Sequence, residues 1–367
     1  MEKSKKRNSS FELLRIIAML MIVANHYRTY GRYFDSTADI GLNTFFLNVV
    51  EMFGSPACSL FALITGYFMI NVNTKEKYYR RIIPTVVELY FYQFVIFGMV
   101  AISGINDIGF MNILELLFPF MHGNWYVAYY IILFFLIPFI NPFLKNMEKS
   151  TYKKLLFTVI VIYSVLPTIM FRGWKFSEVD FFVVMYLIGA YIRLHVKCNY
   201  PNRYNLFISL GFASLSIISV AAVMYLAKLT GSDYVFINSI YLSNYESITS
   251  MGFAVFLFLY FSNLKFSNSF VDIVGKATLG VYLIHDNTLL QHPIWRVFWS
   301  NFDYFYNPYL HLFLKVLLVF AVCVIIDVMR EYTIGRAMNK WLDKHTDSIV
   351  EKFKQNRVIN KYLREVQ

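Results

Sequence analysis

Apolar stretches of about twenty residues recur from Phe11 to Met329, and they do not alternate with polar residues. A lipid core about 30 Å thick takes roughly 20 helical residues to cross. Inside it, every backbone N–H and C=O must be satisfied by the protein itself, which leaves helices or closed barrels. Barrel strands run about 10 residues with alternating faces, so these stretches read as helices. Composition agrees: 57% of residues are hydrophobic and 16% charged, against about 25% charged in a soluble domain. The expected fold is all-α, a polytopic bundle of ten transmembrane helices near residues 11–30, 50–70, 82–103, 124–144, 155–171, 179–195, 205–227, 246–262, 271–290 and 309–329. The first run is too long for a signal peptide and lacks a small-residue cleavage site, so it reads as a retained span.

The net charge of +11 raises the question of nucleic acid, and its distribution answers it. With the N-terminus inside, the six inner segments carry 26 of the 34 Lys and Arg residues. That is the positive-inside pattern, and it places both termini in the cytoplasm. The basic charge is topogenic, and no nucleic-acid partner is expected. Three parts follow: a basic N-terminus at 1–10, a transmembrane domain at 11–330, and a basic amphipathic tail at 331–367 with Trp341, Leu342, Ile349, Val350 and Phe353 at helical spacing. Cys58, Cys198 and Cys323 are isolated, which gives no disulfide framework. No two histidines have the four-residue spacing of a metalloprotease and no Walker motif occurs, so neither a metal nor ATP-driven transport is expected. Two segments break the pattern. Gly54-Ser55-Pro56 interrupts the second span, and Met111–Met121 is apolar but short, suited to the outer surface or to re-entry.

Arg15 and His26 both lie in the first span. Eleven residues at ~100° each end about 20° past three full turns, so the two share a helix face, about 16 Å apart along the axis. Ionisable groups within a span usually mark function, and histidine exchanges a proton near neutral pH. The plain alternatives are snorkelling of Arg15 to the inner interface and an interfacial His26. Arg15, Lys75, Lys77, Arg80, Arg81 and Lys276 fall near the inner face. His26, His122, Trp125, His285, Asp286 and His292 fall near the outer face. Guanidinium groups at the inner end suit a phosphate-bearing cytosolic ligand, although Lys75 to Arg81 reads equally as an ordinary positive-inside loop. His285 and Asp286 are adjacent on a helix, so their side chains diverge and form no dyad. Asp286 instead is a candidate to orient His26 from across the bundle. Glu88, two turns into its span, is expected to pair with Arg15 or to line a wet cavity. Lys315 and Asp327 share a face of the last span.

Several blocks resemble the membrane acyltransferase-3 family. Phe11-Glu12-Leu13-Leu14-Arg15 through His26 is similar to its Arg–ten residues–His signature. Ser59 to Phe68 resembles its "FFxxSGY" element, with Thr65 in place of serine. Arg80-Arg81-Ile82-Ile83-Pro84 resembles "RxxRIxP", with Arg81 at the second arginine and Tyr78 where the first would stand. Phe118-Pro119 through Trp125 resembles "FP…W", and Gly275 to Asn287 resembles the late "TxGIYLIHDN" block of surface-polysaccharide acetyltransferases. The resemblance spans about residues 9–330.

It implies a multi-pass enzyme of a bacterial cytoplasmic membrane that moves an acetyl group from cytosolic acetyl-CoA to a hydroxyl of a cell-surface polysaccharide or lipid-linked glycan. Arg15, with Lys77, Arg80 and Arg81, would hold the CoA phosphates. The CoA arm would thread toward His26, acting as general base or transient acyl carrier. His122, Trp125, Tyr282, His285 and Asp286 would meet the acceptor, with Trp125 and Tyr282 as an aromatic platform for the sugar. An interfacial aromatic belt is the plain reading of that last pair. A glycan transporter or exporter without acyl chemistry is the alternative from another class, because polar residues inside a bundle suit a transport path as well. A membrane sensor using the basic tail is a weaker third.

Overall fold

The computed structural model describes residues 8–31, 37–72, 75–119, 125–170, 178–304, 306–338, 340–342 and 344–345; the side chains of 75–80 and 302 lie outside the description. In chain order the α-helices are α1 (Ser10–Tyr30), α2 (Leu42–Glu51), α3 (Gly54–Met69), α4 (Lys75–Ser103), α5 (Phe110–Leu117), α6 (Trp125–Asn146), α7 (Lys149–Ile160), α8 (Leu166–Met170), α9 (Glu178–His195), α10 (Arg203–Thr230), α11 (Asp233–Ile237), α12 (Ile248–Ser262), α13 (Ser269–Lys276), α14 (Thr278–His285), α15 (Thr288–His292) and α16 (Pro308–Arg330). No strand occurs among the described residues.

Eight helical stretches among the described residues are long and apolar enough to cross a bilayer. They account for eight of the ten expected spans, and the other two differ for separate reasons. The expected 179–195 span is α9, only 18 residues long, and it carries Glu178, Asp180 and Arg193. The expected 271–290 span is not one helix. It breaks at Ala277 and again at Asp286–Asn287, giving α13, α14 and α15. Asn287 ends the run by turning its side chain onto the N–H of Leu289 (3.0 Å), capping α15. Backbone broken at this depth is tolerated where protein surrounds it, and every residue of α14 except Leu279 is buried.

The second expected span likewise divides into α2 and α3 at Met52–Phe53, just ahead of the Gly54-Ser55-Pro56 element. The short apolar segment near 111–121 forms α5, whose Phe110, Met111, Ile113 and Leu117 are exposed. Glu115 on its buried side accepts a 2.6 Å hydrogen bond from Thr288 and ties α5 to α15. Most of the 331–367 tail falls outside the described residues.

The core is built on α1 and α3. Helix α3 packs on α9, α1 and α12, while α10 packs on α12 and α14 on α16. The α3–α9 contact is backbone to backbone. A Cβ on Gly66 would overlap the Tyr186 carbonyl, and one on Gly189 would overlap the Leu63 carbonyl, so small residues let the two helices close together.

Helix α1 is held at both ends. At the Arg15 end, the Ser9 N–H donates to the Phe266 carbonyl (2.9 Å) and Asn8 Nδ2 to the Leu264 carbonyl (2.9 Å). At the His26 end, Asn25 Nδ2 donates to the Glu51 carbonyl (2.7 Å), Asn301 Nδ2 to the Tyr27 carbonyl (2.8 Å), and Arg296 Nε to the Tyr30 carbonyl (2.9 Å). The Arg15–His26 axis is therefore a fixed strut.

Candidate functional site

Arg15, Met19, Ile22 and His26 recur at spacings of four, three and four, which is one face of a helix. That face of α1 lines a cavity of about 700 Å³. The opposite wall comes from α3 (Cys58, Phe61, Thr65), α4 (Arg81, Pro84, Thr85), α6 (Trp125, Tyr126, Tyr130) and α14 (Thr278, Leu279, Tyr282), together with Tyr245. A second space of about 400 Å³ adjoins it, bounded by Asn8, Glu12, Phe68 and Phe134. The two share Arg15, Ile64, Thr65, Arg81 and Tyr130 as walls, so they abut along α1, and the larger one alone forms a passage lined by both Arg15 and His26.

The ends of this passage differ in chemistry. At one end stand three cations, Arg15, Arg81 and Lys276. Arg15 Nη1 bonds Glu12 Oε1 at 2.7 Å, one turn back on the same helix. Glu12 is buried, so this carboxylate directs the guanidinium along the wall while 27% of the Arg15 side chain stays exposed. Arg81 Nη1 rests 2.9 Å from Met69 Sδ. Neither Arg81 nor Lys276 has a carboxylate partner among the described residues, and both are exposed. This end therefore keeps positive charge for an anion.

At the other end stands His26, with its side chain only 12% exposed. Its Nδ1 lies 3.0 Å from His285 Nε2 and 3.5 Å from Asp286 Oδ1. Aromatic rings surround the adjoining volume. Trp125 stacks edge-on with Tyr126 (5.9 Å) and Tyr245 (5.8 Å), and Tyr126 in turn with Tyr282 (5.9 Å). The Tyr126 hydroxyl is buried without a hydrogen-bond partner among the described residues, which leaves a donor to offer an occupant.

The comparison with known families decides what such a passage belongs to. The acyltransferase-3 family model, described as an acyltransferase domain, matches residues 8–328. The chain belongs to the acyltransferase-3 family. It is thus a multi-pass membrane acyltransferase. No curated protein and no solved structure matches it.

Within this acyltransferase the candidate residues divide as follows. Arg15, Arg81, His26, Trp125 and Tyr282 come together on one cavity. His122 lies outside the described residues, as do the side chains of Lys77 and Arg80. His285 and Asp286 do not line the cavity, contrary to the expectation that they meet the acceptor. They are 0% and 1% exposed and sit behind His26, because α14 ends against α1 and turns both inward. Asp286 accepts from Tyr30 Oη (2.9 Å) and Gln291 Nε2 (3.2 Å).

The expected Glu88–Arg15 pairing is also replaced. Glu88 meets Arg330 at 3.1 Å, and Asp327 meets the same guanidinium at 2.9 Å while accepting from Tyr92 Oη at 2.7 Å. This network joins α4 to α16. Lys315 shares its helix with Asp327 yet serves another purpose, donating to the carbonyls of Phe298 and Trp299, both at 2.7 Å.

Sequence reasoning passed over Glu12, Tyr126, Tyr130 and Tyr245. Glu12 carried a signal, being one turn before a membrane arginine. The tyrosines are three among 28, and nothing in their spacing sets them apart.

Proposed function

We propose that this acyltransferase moves an acetyl group from cytosolic acetyl-CoA to a hydroxyl of a cell-surface polysaccharide or lipid-linked glycan outside a bacterial cytoplasmic membrane. One observation carries the reading: a single passage with unpaired cationic charge at one end and a histidine at the other. An acyl-CoA has the same polarity, a phosphate-rich head and a thin arm ending in a thioester. Arg15 and Arg81, with Lys276 and the Lys77–Arg80 turn, receive the phosphates, since guanidinium forks match phosphate oxygens. The arm lies along Met19 and Ile22. The thioester then stands beside His26, about 16 Å from Arg15.

His26 Nε2 takes the proton of the acceptor hydroxyl. The oxygen attacks the thioester carbonyl carbon and the C–S bond breaks. CoA leaves as a thiolate and takes that proton back from His26 as the thiol. Trp125, Tyr126 and Tyr282 hold the sugar by its C–H face.

The test is transfer of label from acetyl-CoA to isolated surface glycan, using membranes matched for protein level. Wild type labels the glycan, and His26→Ala and Arg15→Ala do not. Label that persists undiminished in His26→Ala moves the chemistry away from this end of the passage. Glycan movement without acetyl-CoA, and no label at all, speaks for a transporter instead.

A further inference from the structure

We infer that His285 is a positioning residue that holds His26 in the tautomer whose Nε2 is free to act as base, with Asp286 placed to balance the imidazolium that forms. This rests on the functional reading above and deepens it. The proton order is set by a carbonyl. His285 Nδ1 lies 2.6 Å from the Val281 carbonyl oxygen, one turn back on α14. A carbonyl only accepts, so His285 Nδ1 carries the hydrogen. In the neutral ring, Nε2 then presents a lone pair. The atom facing it at 3.0 Å is His26 Nδ1, which must donate. The proton of His26 therefore sits on Nδ1, and Nε2 is left as the lone-pair nitrogen. The donors run one way, from His26 to His285 to Val281.

The anchor is rigid. His285 is fully buried, and Tyr282 packs edge-on to its ring at 6.4 Å. Asp286 Oδ1, at 3.5 Å from His26 Nδ1, is beyond good hydrogen-bond distance and already accepts from Tyr30 and Gln291. It does not compete for the hydrogen, yet it is close enough to stabilise a cation on the ring. In a serine-protease triad one carboxylate both sets the tautomer and balances the charge. Here the two tasks fall to two neighbouring residues. Their adjacency at the C-terminal end of α14 is what lets both reach His26.

The test compares purified wild type, His26→Ala, His285→Met and His285→Gln for transfer from labelled acetyl-CoA to surface glycan. Methionine fills the space but accepts no N–H, whereas a glutamine amide oxygen does. His285→Met is expected to lower kcat about 100-fold, in the range of general-base contributions, with KM for acetyl-CoA within about twofold. His285→Gln is expected to recover at least about tenfold of that loss. Equal losses in the two variants, or no loss in either while His26→Ala is inactive, overturn the inference. If His285→Met does not fold, a folded His285→Gln as inactive as His26→Ala overturns it, and one keeping at least about a tenth of wild-type kcat upholds it. Absence of transfer by wild type defeats the functional reading itself and is seen separately.

Discussion

Arg330→Met should destabilise the bundle far more than loss of one arginine from a soluble surface. The Arg330 side chain is 8% exposed and bridges Asp327 (2.9 Å, 5% exposed) and Glu88 (3.1 Å, 16% exposed). A third carboxylate, Glu331, lies 3.6 Å away but is 45% exposed, and such solvated pairs contribute little. Methionine leaves two carboxylates within the bundle and no cation between them. Removing one partner of a buried pair costs about 3–5 kcal/mol, mostly because the other charge is stranded. Asp327 keeps its bond from Tyr92, which argues for the lower end, about 3 kcal/mol. At about 2–4 °C per kcal/mol for a large domain, the unfolding midpoint should fall by about 6–12 °C. Thermal unfolding of the purified protein in detergent measures this. The triple variant Arg330→Met, Glu88→Gln, Asp327→Asn should regain most of the loss, because no stranded charge remains. An Arg330→Met protein within about 1 kcal/mol of wild type, or a triple variant as unstable as the single, would refute the reasoning.

Other outcomes follow from the same contacts. Arg81→Ala should raise KM for acetyl-CoA by about tenfold or more, the worth of a charge-assisted hydrogen bond, while kcat changes less; an unchanged KM removes Arg81 from the donor site. Gly189→Val should drive its side chain into the Leu63 carbonyl and cost about 3 kcal/mol or more, seen as loss of the monodisperse peak in size-exclusion chromatography. Lys315→Met should leave the Phe298 and Trp299 carbonyls without their donor, costing about 1–3 kcal/mol. Hydrogen exchange should then rise in the segment before α16, where Trp299 already holds a positive φ of 49°, and unchanged exchange there would show that Lys315 does not hold it.

Much of the architecture was legible because lipid imposes a one-dimensional rule. A stretch long and apolar enough to span reads as a helix, and the 3.6-residue period puts Arg15 and His26 on one face without any knowledge of neighbours. Where that rule weakens, reading weakened with it. Helix α9 is short and bears three charges, and the 271–290 stretch is mostly apolar yet broken, because its breaks answer to caps and partners rather than to hydropathy.

The site divides along the same line. Sequence by itself determined the helical membrane fold, the cation and histidine on a common face, and the family signature that joins them. Which partner each distant polar side chain takes was decided by tertiary structure: Arg330 for Glu88, His285 for His26. The physical reason is that helical period is local, whereas a polar group in a bundle takes the nearest complementary group on another helix. That choice depends on close approaches such as Gly66 against Tyr186 and Gly189 against Leu63, and on where α14 ends. The end of α14 buries His285 and Asp286 beside His26.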